Sequence, residues 1–289
     1  MKREENMMLQ DKSIHRGNLI LINSEYPIVS AEDRKYIPID RKTDGRISFA
    51  GNYQFKRKTT CDVVLEPRAA SVLAYVFRNI DCGNDIVPVS GYRSKEEQEQ
   101  IYEESIKENG VSFTRQYVAL PGHSEHQTGL AVDLGLKKAE IDFICPDFPY
   151  EGICQDFRRT AAMFGFVERY KKEKEKITGI SHEPWHFRYV GYPHSEIMEA
   201  KGFSLEEYVE YIKGFECGGN CVRKVADREF ADELGREKSL KVELRGQGFE
   251  VFYVREDMIE EIGLPEDAVY EISGNNVDGY IVTVWRGVV

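Results

Sequence analysis

Two separated segments carry side chains that could do chemistry together. His123-Ser124-Glu125-His126-Gln127-Thr128-Gly129-Leu130-Ala131-Val132-Asp133 offers imidazoles and a carboxylate at fixed offsets, and Glu183-Pro184-Trp185-His186 adds another imidazole with a second carboxylate three residues before it. A catalytic zinc takes three nitrogen or oxygen ligands, keeps a fourth position for water and lowers that water's pKa to about 7. His126, Asp133 and His186 are the three ligands this pattern nominates, one ion per chain, and Glu183 is the base beside them. The chemistry expected is metal-assisted hydrolysis of an amide.

The string His182-Glu183-Pro184-Trp185-His186 also satisfies the H-E-x-x-H spacing of helical zinc proteases. A helix is disfavoured there, because Pro184 fits only the first turn and would leave His182 outside, and the residues that follow are strand formers. In a strand, Glu183 and His186 would face opposite ways, so Pro184 must mark a bulge or twist that brings both to the metal. His123 and His182 read as neighbours of the site rather than ligands; His15 and His194 carry no interpretable signal.

The elements that must hold these groups are legible in outline. Leu19 to Asn23 reads as an apolar strand and the stretch to about Asn52 as irregular wrapping, while Glu66 to Arg78 has helical apolar spacing with Pro67 in its first turn. Ile86 to Ser90 is a strand that turns through Gly91-Tyr92-Arg93 into a helix over Lys95 to Asn109, capped by Ser94 with Glu97 and closed by Gly110. Arg93 therefore sits at a strand-to-helix junction. Leu130, Val132 and Leu134 alternate with Ala131 and Asp133, which puts Asp133 on the opposite face of a strand from the apolar three. Gly129 permits a turn or a close backbone approach between His126 and that strand. A helix over Phe157 to Phe166, a solvated charge run at Lys171 to Lys176, a strand from Trp185 to Val190 and a capped helix over Ser204 to Lys213 follow. Beyond Cys217-Gly218-Gly219-Asn220-Cys221 the pattern is short strands and glycine turns, a small β-rich appendage. The predicted domains are 1–213, carrying the site, and 214–289.

With 50 Asp and Glu against 39 Lys and Arg, a net charge of -11, the surface repels phosphate backbones and nucleic acid is excluded as a partner. Nothing reads as a leader or membrane anchor, because Leu19 to Ile22 is too short to span a bilayer, so a cytoplasmic location is expected. Six scattered cysteines read as reduced thiols rather than a disulfide framework.

Ser124-x-His126-x-x-Gly129-x-Ala131-x-Asp133, followed by Glu183-Pro184-Trp185-His186-Phe187-Arg188-Tyr189-Val190-Gly191, resembles the zinc D-alanyl-D-alanine peptidases of the VanX, VanY and VanXY type. Ser90-Gly91-Tyr92-Arg93-Ser94 with Gln98, and the opening Gly17 to Asn23, are similar to the same family, so the likeness spans about Gly17 to Lys213. It implies an α+β fold, a mostly antiparallel central sheet flanked by helices, also similar to the Hedgehog signalling domain. It implies zinc on His126, Asp133 and His186, Glu183 as base, and Arg93, Gln98 and Ser124 in substrate binding and transition-state support. Trp185 is either core packing or a wall of the substrate pocket. The expected function is a D,D-peptidase acting on D-Ala-D-Ala, on the terminal D-Ala of peptidoglycan precursors, or on both, as in vancomycin resistance. An L,D-carboxypeptidase and a non-catalytic zinc-containing binding module are the alternatives, and a homodimer is an open option.

Overall fold

The computed structural model describes residues 13–29, 35–39, 54–55, 63–217, 240–244, 247–262 and 268–286. By contacts the chain forms two units, one of residues 22–204 and one of residues 1–21 with 205–289.

The unit of residues 22–204 is built on a four-stranded sheet. Its strands are β1 (Ile86–Ser90), β2 (Ala131–Leu136), β3 (Phe166–Tyr170) and β4 (Glu183–Tyr189), in the order β1-β2-β4-β3 with every neighbouring pair antiparallel. The mostly antiparallel sheet flanked by helices is the α+β arrangement that the sequence implied. Helix α1 (Pro67–Asn79) begins where Glu66 accepts hydrogen bonds from the backbone of Arg68 and Ala69, and it buries Leu73, Val76 and Phe77. Helix α2 (Lys95–Asn109) starts with the reciprocal Ser94–Glu97 capping box. Gly110 ends α2 and also begins α3 (Val111–Tyr117).

Helix α4 spans Gly152–Ala162 rather than Phe157 to Phe166. Its first residue has φ 53° and its cap, Glu151, makes no side-chain hydrogen bond, so the local start signals are missing. Phe166 opens β3 instead. Phe157 of α4 packs edge-on against Phe187 of β4 and tilted against Phe77 of α1, with ring centroids 4.9 and 5.6 Å apart. Each buried ring of this kind stabilises the fold by ~1.5–3 kcal/mol. The Lys171 to Lys176 charge run is exposed apart from two half-buried positions and folds as a 3-10 turn leading into a one-turn helix, Glu175–Thr178. Helix α5 (His194–Lys201) follows β4.

In the other unit, α6 (Leu205–Lys213) packs on a second antiparallel sheet of β5 (Leu240–Leu244), β6 (Gln247–Arg255), β7 (Val269–Gly274) and β8 (Gly279–Arg286), in the order β7-β8-β6-β5. This is the β-rich appendage in outline. Residues 19–21 are buried but form no strand: the Leu19 N–H bonds to the Ser273 hydroxyl and the Leu21 N–H to the Asn275 carbonyl, so a side chain and a single carbonyl take the place of a ladder partner. Cys217 is disulfide-bonded, contrary to the expectation of reduced thiols, because one bridge needs only one suitably placed pair and no framework. Cys82, Cys145 and Cys154 are free, and Cys61 and Cys221 lie outside the described residues. Among the described residues no helix is long and apolar enough to cross a membrane.

Gly129 shows how closely the first unit is fitted. It has φ 71°, its carbonyl accepts from the Glu66 N–H at 2.9 Å, and a Cβ there would lie 2.6 Å from the Tyr36 ring. Gly129→Ala should therefore lose about 1–2 kcal/mol from backbone strain alone and more from the collision. Urea unfolding of the variant beside the parent checks this, the expected result being a lower midpoint at an unchanged slope.

Candidate metal centre and active site

Cross-strand register creates the centre of the site. Asp133 on β2 stands directly opposite His186 on β4, and opposite Ser90 on β1 on its other side. Paired residues project to the same face of a sheet, so carboxylate and imidazole meet, with Asp133 Oδ1 3.0 Å from His186 Nδ1. His126 arrives from the 3-10 turn Glu125–Thr128 that precedes β2, its Nε2 3.0 Å from Asp133 Oδ2. Its other nitrogen, Nδ1, donates to the Gly91 carbonyl at 2.7 Å, which leaves Nε2 as the lone-pair nitrogen aimed at the cluster. The predicted bulge is present. Between the pairs Glu168–Phe187 and Tyr170–Glu183, β4 advances two residues more than β3, and the Pro184 region absorbs them. With the ladder interrupted there, Glu183 reaches His186, its Oε2 3.6 Å from Nδ1.

One donor atom from each of His126, Asp133 and His186 lies within 4.8 Å of the others, and all three residues are buried. Ligands of a tetrahedral zinc stand roughly 3.4 Å apart for metal–ligand bonds of about 2.0–2.2 Å, so contacts of 3.0 Å are of the right scale. Asp133 Oδ1 is buried without a hydrogen-bond partner, an arrangement that is costly unless something positive engages it. Two imidazoles and a carboxylate thus fit a divalent cation.

Arg93 leans into this cluster. Its Nη2 donates to Asp133 Oδ2 at 2.7 Å and lies 3.2 Å from His126 Nε2, while its Nε donates to the Ser90 hydroxyl at 2.8 Å. Burial first, and the Arg93 charge second, push the His126 imidazole down to about 4, keeping it neutral. Burial opposes ionisation of Asp133, but the two histidines outweigh it and hold the carboxyl far below its usual range. Burial, reinforced by the Asp133 charge, pushes Glu183 up to about 8. Burial would lower His186, yet the Asp133 and Glu125 carboxylates beside its ring raise it to about 9.

These groups line one pocket. Trp185 lines it too and is largely buried. The Ser124 hydroxyl borders the pocket and makes no hydrogen bond to the described residues. Gln98 is fully buried and its amide is engaged at both ends, Nε2 donating to the Ala119 carbonyl and Oε1 accepting from Arg93 Nη1. His123 and His182 stay outside the cluster, bonded to the Asn23 carbonyl and the Tyr150 hydroxyl respectively.

A family model described as VanY, D-alanyl-D-alanine carboxypeptidase, matches residues 63–192. A D-alanyl-D-alanine carboxypeptidase of Enterococcus faecium is 32% identical over 282 residues, 96% of this chain and 78% of that one. The chain belongs to the VanY family of D-alanyl-D-alanine carboxypeptidases. It is thus an enzyme, a peptidase. It is also 49% identical, over 152 residues, to the bifunctional D-Ala-D-Ala dipeptidase and carboxypeptidase VanXYC of Enterococcus gallinarum, covering 52% of this chain and 80% of the relative. The solved structure of the vancomycin-resistance D,D-dipeptidase VanXYg with a D-Ala-D-Ala phosphinate analogue matches with a TM-score of 0.77 and 46% identity, covering 94% of this chain and 95% of that one.

Several parts of the VanY-type site escaped the sequence reading. Phe143, Ile144 and Tyr170 line the pocket without any motif to mark them. Tyr117 at the end of α3 and Ile180 also line it, and their loops are joined by a hydrogen bond from the Ser181 N–H to the Gln116 carbonyl at 3.0 Å. Glu125, Arg169 and Arg188 are fully buried behind His186. Their only signal was charge in strands and turns that are otherwise apolar.

Asp133→Ala should abolish stoichiometric divalent-metal binding, whereas His123→Ala should leave it intact. Equilibrium dialysis followed by elemental analysis checks both.

Proposed function

We propose that this enzyme is a zinc-dependent D,D-peptidase that hydrolyses D-Ala-D-Ala, the terminal D-Ala of peptidoglycan precursors, or both, with catalysis in the part up to about residue 213. The observation that carries the reading is the convergence of His126, Asp133 and His186 beside a buried Glu183 in one pocket. The donor set suits zinc, which when bound supplies Lewis acidity and makes water nucleophilic near neutral pH. The relatives named for D-Ala-D-Ala chemistry support the substrate class.

The protein's own groups divide the remaining work. Glu183 takes a proton from the attacking water and returns it to the departing amine, and a carboxyl pushed up to about 8 exchanges protons readily in both directions near neutrality. The Arg93 guanidinium, braced by Ser90, Gln98 and Asp133, faces the pocket and stabilises the negative charge that develops on the carbonyl oxygen. Gln98 supports this step by orienting Arg93, and the Ser124 hydroxyl offers a hydrogen bond to the substrate's terminal carboxylate. Trp185 walls off the pocket and helps to exclude water.

Glu183→Ala should retain its zinc and lose kcat by at least ~10²-fold, the scale of a general base. The reading is tested by metal analysis joined to a panel of D-Ala-D-Ala, a pentapeptide ending in D-Ala-D-Ala and a tetrapeptide ending in an L-to-D linkage. Cleavage of either of the first two, dependent on zinc and on Glu183, is expected. Cleavage of the tetrapeptide alone would make it an L,D-carboxypeptidase, and a zinc-loaded protein inert toward all three would make it a binding module.

A further inference from the structure

Behind His186, on the side away from Asp133, lies a buried ionic cluster to which the reaction assigns no task. Glu125 Oε1 accepts from Arg169 Nε at 2.9 Å and from Arg188 Nη1 at 2.8 Å, and all three side chains are at most 1% exposed. The other oxygen, Oε2, lies 3.5 Å from His186 Nε2. Neither of these two atoms has a hydrogen-bond partner elsewhere, and both are buried. An acceptor and a ring nitrogen left unpaired in an apolar interior are each costly. Facing one another, they complete each other once Nε2 carries the proton.

That tautomer has a consequence for the opposite edge of the ring. A neutral imidazole with its proton on Nε2 presents the Nδ1 lone pair, and Nδ1 is the atom 3.0 Å from Asp133. We infer that Glu125 is a positioning residue for the metal centre, its Oε2 holding the Nε2–H edge of His186 while Arg169 and Arg188 clamp its Oε1. The inference rests on the reading of His186 as a zinc ligand.

The geometry makes the clamp directional. Arg188 lies two residues beyond His186 on the same strand, and so on the same face, while Arg169 comes from the neighbouring strand β3. The carboxylate is thus referenced to the strand that carries the ligand it steadies. Two guanidiniums on its Oε1, at 2.9 and 2.8 Å, compensate the burial of the carboxylate. Glu125 also precedes His126, so one 3-10 turn delivers a ligand with one residue and supports a different ligand with the next. Carboxylate support of a ligating histidine orients the ring and raises its basicity, and loss of such a partner costs 10–100-fold in metal affinity on the usual scale.

The test measures zinc affinity by competition with a chromophoric chelator, together with the visible spectrum of the cobalt(II)-substituted protein. It uses the full chain, Glu125→Gln, and the triple variant Glu125→Met with Arg169→Met and Arg188→Met. The triple variant removes the ionic cluster as a unit, so no buried charge is left unpaired even where Glu125→Gln folds poorly. Both variants are expected to bind zinc about 10–100-fold more weakly than the parent, with an altered cobalt spectrum. Parental affinity and spectrum in the folded triple variant would overturn the inference, leaving Glu125 only as neutraliser of two arginines. A parent chain that binds no zinc would instead overturn the zinc reading itself, and the inference with it.

Discussion

The pairing of Asp133 with His186 across β2 and β4 is the constraint on which the rest of the site depends. A carboxylate at that depth is tolerable only if positive or proton-donating groups surround it, and the surrounding structure supplies them from three directions. His186 comes from the next strand, His126 from the turn before β2, and Arg93 from the junction after β1. The consequence is a buried set in which three carboxylates, Glu125, Asp133 and Glu183, face three guanidiniums, Arg93, Arg169 and Arg188, with two imidazoles between them. Glu183 is the carboxylate without a close guanidinium, and it is the one whose pKa burial drives upward.

Pro184 explains how one strand delivers both a ligand and a base. An unbroken strand would send Glu183 and His186 to opposite faces. The register of β4 is irregular between its pairings with Glu168 and Tyr170, which interrupts that alternation, and Pro184, which has no N–H to offer a ladder, is suited to the interruption. The H-E-x-x-H string beginning at His182 is therefore a coincidence of spelling: β4 is a strand, and His182 bonds to Tyr150 rather than joining the cluster. The same logic applies at Gly129, where a left-handed residue lets the His126 turn pass against Tyr36 and Glu66 before β2 begins.

What could be read from the sequence was chemistry with short-range grammar. The Ser94–Glu97 box, the strand at Ile86 to Ser90, the alternation around Asp133 and the need for a bulge at Pro184 all rest on neighbours within a few residues, and each is present. The misses share the opposite property. Leu19 to Asn23 looked like a strand because burial and strand pairing give the same apolar run, and only the hydrogen bonds to Ser273 and Asn275 reveal which applies. Helix α4 lacks a side-chain cap and opens on a glycine with positive φ, so its start carried no local mark. Gln98 lines the pocket, but its buried amide is engaged by Ala119 and Arg93, partners that no spacing rule links to it.

The cluster of Glu125, Arg169 and Arg188 is the clearest case of long-range information. Arginine in a strand ordinarily signals a solvated face, and here two of them are buried because a carboxylate 44 and 63 residues away in sequence meets them. Such a cluster is a poor source of stability, since desolvating three ions offsets most of the attraction between them. Its retention makes physical sense if orientation rather than stability is what it supplies. A ring held on one edge by Glu125 and faced on the other by Asp133 has little freedom to tilt, and placing a catalytic group to within about 0.5 Å requires support of this kind.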